Sequence, residues 1–259
     1  MKEYLKKVLQ ARVYEVAKKT PLEKAQNLSR RFKNNIYLKR EDLQEVFSFK
    51  IRGAYNKMQN LTKEQLSRGV ITSSAGNHAQ GVALSALQLK TKATILMPIT
   101  TPIVKVNAVK ELKAEVILFG DNYDESYIEA QRLSKERELS FIHPFNDPEV
   151  IAGQGTIGVE LLSQLKDPPD AIYIAVGGGG LIAGISIYIK NLWPTTKIIG
   201  IEPEDADAMT RSLREKKIIE LDNVGLFADG VAVKKVGKLT FEIAKQYVDK
   251  MITVNTDEI

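Results

Sequence analysis

Short apolar and β-branched runs alternate along the chain with longer stretches in which apolar positions recur every three or four residues. The short runs are typical of buried strands, and the longer stretches are typical of helices with one buried face. The predicted strands are residues 36–39, 70–72, 93–98, 115–119, 171–176, 197–202 and 251–254. The predicted helices are residues 51–60, 77–89, 102–113, 122–137, 149–165, 181–191 and 205–216. This alternation predicts an α/β fold in which helices cover mostly parallel sheets through right-handed crossovers.

Composition excludes several classes of site. The 259 residues are 44% hydrophobic, which is enough for a substantial core in one large domain or two small ones. The sequence contains no cysteine, which excludes disulfides, thiolate metal sites and a cysteine nucleophile. Its two histidines, His78 and His143, are too few for a histidine-rich metal site, so we expect no metal.

Charge and hydropathy restrict the classes of binding partner expected for the protein. The formal net charge is +5, but the basic residues occur as scattered pairs among acids. Nucleic-acid binding is not expected, because it needs a basic stripe along the phosphate backbone. Residues 1–19 read as an amphipathic helix with no signal-peptide core, and no apolar run approaches the roughly 18 residues of a membrane span. We expect the protein to be cytoplasmic and to bind a small molecule.

The loop Gly177–Gly180 follows the strand 171–176 and leads directly into a helix. Ligands of open α/β sheets bind at the carboxyl ends of strands, which directs attention to this loop and to those after 36–39 and 70–72. Four glycines let the backbone approach a ligand, and the helix N-terminus attracts a phosphate. The structural alternative is a tight strand-to-helix turn.

The same loop also allows a different cofactor. Gly178, Gly180 and Ala183 have the spacing of the dinucleotide fingerprint, and Glu202 ends the next strand about twenty residues later. A nicotinamide-dependent oxidoreductase is therefore an alternative that this loop alone does not decide.

A second loop, Ser73–His78, follows the strand 70–72 and starts a helix. Its N–H groups and hydroxyls can donate to a carboxylate, and Asn77 can orient a ring oxygen. The structural alternative is a helix N-cap provided by Ser74 or Asn77. His78 reads as a packing residue at the helix start rather than a base.

Lys50 lies between Phe47-Ser48-Phe49 and the start of a helix. Apolar neighbours disfavour the ammonium form and free the amine for attack on a carbonyl. The alternative is an exposed lysine on a helix capped by Ser48. A Schiff-base lysine beside a phosphate cradle and a carboxylate cradle implies an aldehyde cofactor that bears a phosphate and handles amino acids.

The segments that carry these loops resemble fold-type II, tryptophan-synthase-β-like pyridoxal-phosphate enzymes and, among them, the threonine dehydratases. The similar segments are residues 38–58, 70–86, 150–162, 175–186 and 225–237, and the last resembles the biosynthetic type. The resemblance implies two three-layer α/β/α units with mostly parallel sheets. We expect a discontinuous cofactor-binding domain (1–65 and 145–259) and a small domain (66–144) that carries the carboxylate-binding loop.

The resemblance also assigns roles to residues. It implies that Lys50 holds pyridoxal 5'-phosphate as a Schiff base, that Asn77 binds the phenolic oxygen of the ring, and that Ser74–His78 binds the substrate carboxylate. The cofactor phosphate is expected on Gly177, Gly178, Gly179, Gly180 and Leu181, and the substrate carboxylate on Ser74, Ala75, Gly76, Asn77 and His78. The dinucleotide interpretation then loses support, because Glu202 has no ribose to hold.

The implied reaction is the dehydration and deamination of L-threonine, and also of L-serine, to 2-oxobutanoate (from threonine) and ammonia, the first step of isoleucine biosynthesis. Serine racemases of this fold have a second serine directly before Gly-Asn-His, where this chain has Ala75, which favours elimination over racemisation. The family continues beyond Ile259, so the residue that contacts the pyridine nitrogen and the regulatory region are expected to be missing. An inactive binding partner is the non-enzymatic alternative, and a homo-oligomer is expected.

Overall fold

The computed structural model describes residues 2–225 and 227–259. Its helices are α1 Lys2–Gln10, α2 Gln26–Arg31, α3 Lys50–Gln59, α4 Lys63–Arg68, α5 Asn77–Leu89, α6 Ile103–Glu111, α7 Tyr123–Glu136, α8 Pro148–Gln164, α9 Gly180–Leu192, α10 Ala208–Glu215 and α11 Lys238–Tyr247. Its strands are β1 Leu22–Lys24, β2 Tyr37–Lys39, β3 Val70–Ser73, β4 Ala93–Met97, β5 Glu115–Leu118, β6 Ser140–Phe141, β7 Ala171–Ala175, β8 Lys197–Pro203 and β9 Lys250–Val254.

Every strand and helix predicted from the pattern is present, with bounds that differ by a few residues. The sequence reading missed α2, α4, α11, β1 and β6, and the N-terminal helix ends at Gln10. One expectation was wrong: β2 pairs antiparallel with β1 in a separate two-stranded sheet. The loop after β2 is therefore not at the carboxyl edge of a parallel sheet.

The first parallel sheet has the strand order β5-β4-β3-β6 and is covered by helices on both faces. Neighbouring residues of β4 show the two faces, because Ile95 packs with Val82 of α5 while Leu96 packs with Ala130 of α7. A strand that is buried on both faces needs a nearly continuous apolar run, and β4 is buried throughout and apolar except for Thr94, whose hydroxyl donates to Glu115.

The second parallel sheet has the order β7-β8-β9. Ile198 of β8 packs with Ile182 of α9 and Phe241 of α11 in one core cluster. Together the two sheets confirm the predicted α/β class with mostly parallel strands. In the described residues, no helix has the length and apolar character needed to cross a membrane.

Helix α3, which begins at Lys50, is held tightly between α8 and α5. A Cβ atom on Gly153 of α8 would lie 2.6 Å from the carbonyl oxygen of Arg52, so the two helices approach at a distance that only glycine permits. Arg52 itself is fully buried and ion-paired to Glu41 and Glu160. These contacts fix the first turn of α3 and therefore the position of Lys50.

Candidate active site

Lys50 is half-buried at the point where α3 contacts α5. A Cβ atom on Gly81 of α5 would lie 3.1 Å from the carbonyl carbon of Lys50, so a side chain there would crowd the first turn of α3. The ring of Phe49 lies under the amine, with its centroid 5.5 Å from Nζ. Phe47 is 76% exposed, so the expectation that it also shields the amine was wrong.

The amine of Lys50 has no hydrogen-bond or ion-pair partner among the described residues, and burial lowers its pKa to about 8. The loss of hydration disfavours the ammonium form and raises the share of neutral amine near neutral pH. The alternative of a lysine on a helix capped by Ser48 is wrong, because α3 has no side-chain cap. The Oγ atom of Ser48 is instead buried without a partner in the described part of the chain.

The glycine loop lies between β7 and α9, as predicted. The N–H groups of residues 177–182 donate to no acceptor among the described residues, and the first bond of the helix start runs from Ala183 N to Gly179 O at 3.0 Å. Six successive free donors at the N-terminus of a helix, where the dipole adds positive charge, form a site for a phosphate.

Close packing requires glycine at position 178, and backbone geometry favours it at position 179. A Cβ atom on Gly178 would lie 2.2 Å from Cδ1 of Phe145, and Gly179 has a left-handed φ of 91°. The Oγ1 atom of Thr240 donates to the carbonyl oxygen of Gly178 at 2.6 Å. Side chains from distant parts of the chain therefore pack on the loop, and its N–H groups remain for a ligand.

The loop Ser74–His78 joins β3 to α5. The predicted alternative of a capped helix is wrong, because α5 begins after Gly76 without a side-chain cap. The N–H groups of Ala75, Asn77, His78 and Ala79 find no acceptor in the described part of the chain. The loop therefore offers a second set of free donors, which suits a carboxylate.

The two histidines are neutral. Burial, with the nearby Lys50 charge contributing, lowers the pKa of His78 to about 3 and that of His143 to about 4. Nε2 of His78 is 3.0 Å from the carbonyl oxygen of Ile142, and its Nδ1 atom is buried without a partner in the described residues. His78 is thus a packing residue, and its contribution to carboxylate binding would come from its backbone N–H.

The segment 230–231 lies close to both loops. A Cβ atom on Gly177 would lie 3.0 Å from Cα of Val231, and one on the adjacent Gly230 would lie 4.0 Å from Nδ2 of Asn77. The side chain of Asn77 is exposed and makes no hydrogen bond to the described residues, so its amide is available to a ligand. The structure therefore brings Lys50, Asn77 and the two loops to one place.

Glu202 does not serve the dinucleotide alternative. It is fully buried, and its carboxylate accepts hydrogen bonds from Met209 N, Thr210 N and Thr210 Oγ1 at 2.7–2.9 Å. Its oxygens are occupied by the start of α10 and are not available to a ribose.

Several residues at this site were missed by sequence reasoning. Phe145, Val231 and Thr240 contact the glycine loop from distant parts of the chain. Val231 lies in the segment 225–237 that resembles the family, and the prolines in 143–149 indicate a loop around Phe145, but neither signal indicates a contact with the glycines.

The site suits pyridoxal phosphate. A buried amine without a partner is what an aldehyde requires, and free N–H groups at a helix start are what a phosphate requires. The fold and the site thus define an α/β enzyme that holds a phosphate-bearing aldehyde on a lysine.

The chain belongs to the pyridoxal-phosphate dependent enzyme family, whose profile matches residues 13–259. It is 55% identical over 260 residues to the biosynthetic L-threonine dehydratase of Burkholderia multivorans, with 99% of this chain and 51% of that protein covered. The processed form of threonine deaminase isoform 2 from Solanum lycopersicum has a TM-score of 0.96 at 52% identity, with 98% of this chain and 70% of that chain covered.

Maize serine racemase has a TM-score of 0.93 at 33% identity, with 98% of this chain and 77% of that chain covered. The predicted fold family and cofactor are confirmed. The chain spans about half the length of the curated relatives it matches.

Proposed function

We propose that the protein catalyses the pyridoxal-phosphate-dependent dehydration and deamination of L-threonine, and also of L-serine. Threonine would give 2-oxobutanoate and ammonia. The observation that carries the proposal is the buried, unpaired amine of Lys50 beside two loops with free N–H groups. The names of the relatives from Burkholderia multivorans and Solanum lycopersicum support threonine as the substrate.

Residues of the chain would hold cofactor and substrate on three sides. Residues 177–181 donate their N–H groups to the phosphate, and Asn77 donates to the phenolic oxygen. Bound pyridoxal phosphate supplies an aldehyde that condenses with amines and a ring that stabilises negative charge at the substrate Cα. The loop 74–78 binds the substrate carboxylate, which orients the Cα–H bond towards Lys50.

Lys50 would transfer the proton. When substrate is bound, the amine of Lys50 would accept the proton from the substrate Cα. Because burial lowers its pKa to about 8, a useful fraction of the amine is neutral near neutral pH. Loss of the Cα proton and of the β-hydroxyl, together as water, would leave an enamine, and addition of water to its imine tautomer would give the 2-oxo acid and ammonia.

Ala75 favours elimination over racemisation. It lies in the carboxylate loop directly before Gly76, where it presents a methyl group and no hydroxyl. Racemisation needs a proton donor on the face of Cα opposite to Lys50, and Ala75 does not provide one. We therefore propose that L-threonine is converted to products without release of D-amino acids.

The experiment is turnover of L-threonine by the protein supplied with pyridoxal phosphate, measured as the hydrazone of the 2-oxo acid. Lys50→Ala should abolish turnover, whereas Lys110→Ala, which changes an exposed lysine, should leave it unchanged. Absence of 2-oxo acid from a protein with bound cofactor would contradict the proposed reaction and favour the inactive binding partner. Formation of D-threonine or D-serine would contradict the elimination assignment.

We propose further that the reaction opens isoleucine biosynthesis, in the cytoplasm, in a homo-oligomer. The word "biosynthetic" in the names of relatives supports the first point. Light scattering of the purified protein tests the assembly.

We also propose the domain division expected from the sequence, residues 1–65 with 145–259 and residues 66–144. The separation of the two parallel sheets, one within 70–141 and one within 171–254, supports this division. Limited proteolysis that releases a fragment near 66–144 would test it.

A further inference from the structure

The segment His143–Asn146 connects β6 to α8 and has no role in the function proposed above. It lies against the glycine loop, where Phe145 is the nearest neighbour of Gly178 and Gly180. Three of its residues make specific contacts that together determine where the loop can lie.

His143 shapes the segment itself. Its Nδ1 atom accepts hydrogen bonds from Phe145 N at 3.2 Å and Asn146 N at 2.9 Å. The two bonds fix the tautomer, because Nδ1 must be unprotonated and the proton lies on Nε2. The imidazole ring also packs edge-on against Phe145, with centroids 4.7 Å apart. The backbone turn and the ring of Phe145 are therefore held by one side chain.

Phe145 packs directly on the glycine loop. Its Cδ1, Cγ and Cε1 atoms all lie within 2.4 Å of the position that a Cβ atom on Gly178 would take. Its Cβ and Cα atoms lie 3.0–3.1 Å from the corresponding position on Gly180. The ring thus fills the space beside Gly178, and the Cα and Cβ atoms of Phe145 fill the space beside Gly180, so the loop cannot move towards this segment.

Asn146 holds the start of α11, which also contacts the glycine loop. Its Oδ1 atom accepts from Leu239 N at 2.9 Å, in the first turn of α11. The same helix start carries Thr240, whose Oγ1 atom donates to the carbonyl oxygen of Gly178. Asn146 therefore holds α11 where Thr240 can orient the peptide group of Gly178.

We propose that His143, Phe145 and Asn146 are positioning residues that align the N–H groups of residues 177–182 for the cofactor phosphate. The inference rests on the proposed function of this loop as the phosphate site. The contacts of the segment are with the loop and with the start of α11, so its effect on the ligand is assigned to the position of the loop. It should matter for ligands that bear the phosphate and not for those that lack it.

The test compares the affinity of the protein for pyridoxal phosphate with its affinity for pyridoxal, which lacks the phosphate. Misalignment of a single N–H donor to a charged acceptor weakens binding by about tenfold or more. Phe145→Ala and His143→Ala should therefore weaken pyridoxal phosphate at least about tenfold and change pyridoxal by less than about threefold. His143→Asn, whose Oδ1 can replace the Nδ1 acceptor, should recover most of the loss.

Two further variants separate positioning from general stability. Leu133→Ala, in the core of the other sheet, should lower the melting temperature without changing the ratio of the two affinities. Phe145→Leu keeps an apolar side chain in place if Phe145→Ala does not fold, and it should show a smaller loss of the same kind. Equal losses for both ligands, or unchanged affinity for pyridoxal phosphate, would overturn the positioning role.

The affinities of the wild-type protein for the two ligands separate a failure of the phosphate site from a failure of the positioning role. If it binds pyridoxal phosphate no more tightly than pyridoxal, the phosphate site itself is wrong and both proposals fall. If the wild type shows the preference and the variants keep it, only the positioning role falls.

Discussion

Arg52 provides a sharp test of how the first turn of α3 is held. Its side chain is fully buried, and each nitrogen of the guanidinium group has a partner. Nε and Nη2 donate to the two oxygens of Glu41 at 2.8 Å, and Nη1 donates to Glu160 at 2.6 Å. Further bonds reach Thr156 Oγ1 and the carbonyl oxygen of Lys18, both at 3.1 Å.

Arg52→Met removes the cation and leaves most of the volume filled. Removal of one partner from a buried ion pair costs about 3–5 kcal/mol, because the other charge stays buried. Glu160 is 1% exposed but retains its ion pair with Lys39. We therefore expect a loss of stability at the lower end of this range, about 3 kcal/mol. For a chain of this size, that loss lowers the melting temperature by about 6–12 °C.

The assay is thermal and urea unfolding followed by circular dichroism. The matched control is Arg132→Met, since Arg132 also pairs with two carboxylates, Glu129 and Glu136, but is 57% exposed. Exposed pairs contribute about 0–1 kcal/mol, so the control should change stability by less than about 1 kcal/mol. A loss of less than about 1 kcal/mol for Arg52→Met would refute the claim that burial makes this network important.

Two further predictions concern the site. Gly179→Ala should destabilise the protein by about 1–3 kcal/mol and weaken pyridoxal phosphate, because φ is 91° and a Cβ atom would lie 2.6 Å from Met209 Cε. Gly76→Ala, with no atom within 4 Å of its Cβ atom, is the control for stability in unfolding, and equal losses would contradict the steric argument. The rate of condensation with pyridoxal phosphate should rise with pH around a midpoint near 8 and not near 10.5. Since the folded pKa of Lys50 lies below the unfolded one, Lys50 should make stability without cofactor rise between pH 8 and 10.5, and Lys50→Met should reduce this rise to the part due to Lys39, whose pKa burial also lowers.

Much of the fold followed from sequence pattern because the central strands are buried on both faces. The run Ala93–Met97 is buried at every position and is apolar except for Thr94, as expected of a strand inside a covered sheet. The strands β1 and β6 were missed because two or three residues are too few to show a period. Helix α11 was missed because Leu239, Phe241 and Ile243 alternate as they would in a strand.

The candidate site was predictable where the chemistry depends on residue type. Lys50 and the two loops stand out because amines, glycines and small polar residues have distinct uses at strand ends. The residues that pack against these loops were not predictable. Phe145, for example, is distant from Gly178 in the sequence and contacts it only in the folded chain. The prediction for Phe47 failed in the opposite direction. Phe47 lies only three residues before Lys50 in the sequence, but its side chain is exposed to solvent.

The central claim is that Lys50 alone carries the cofactor. Reduction of the protein with borohydride in the presence of pyridoxal phosphate, followed by peptide mapping, tests it directly. We predict one phosphopyridoxyl group, on Lys50, and none on Lys50→Ala protein under the same conditions. A label on another lysine, or one spread over the surface lysines with Lys50 unmodified, would contradict the account.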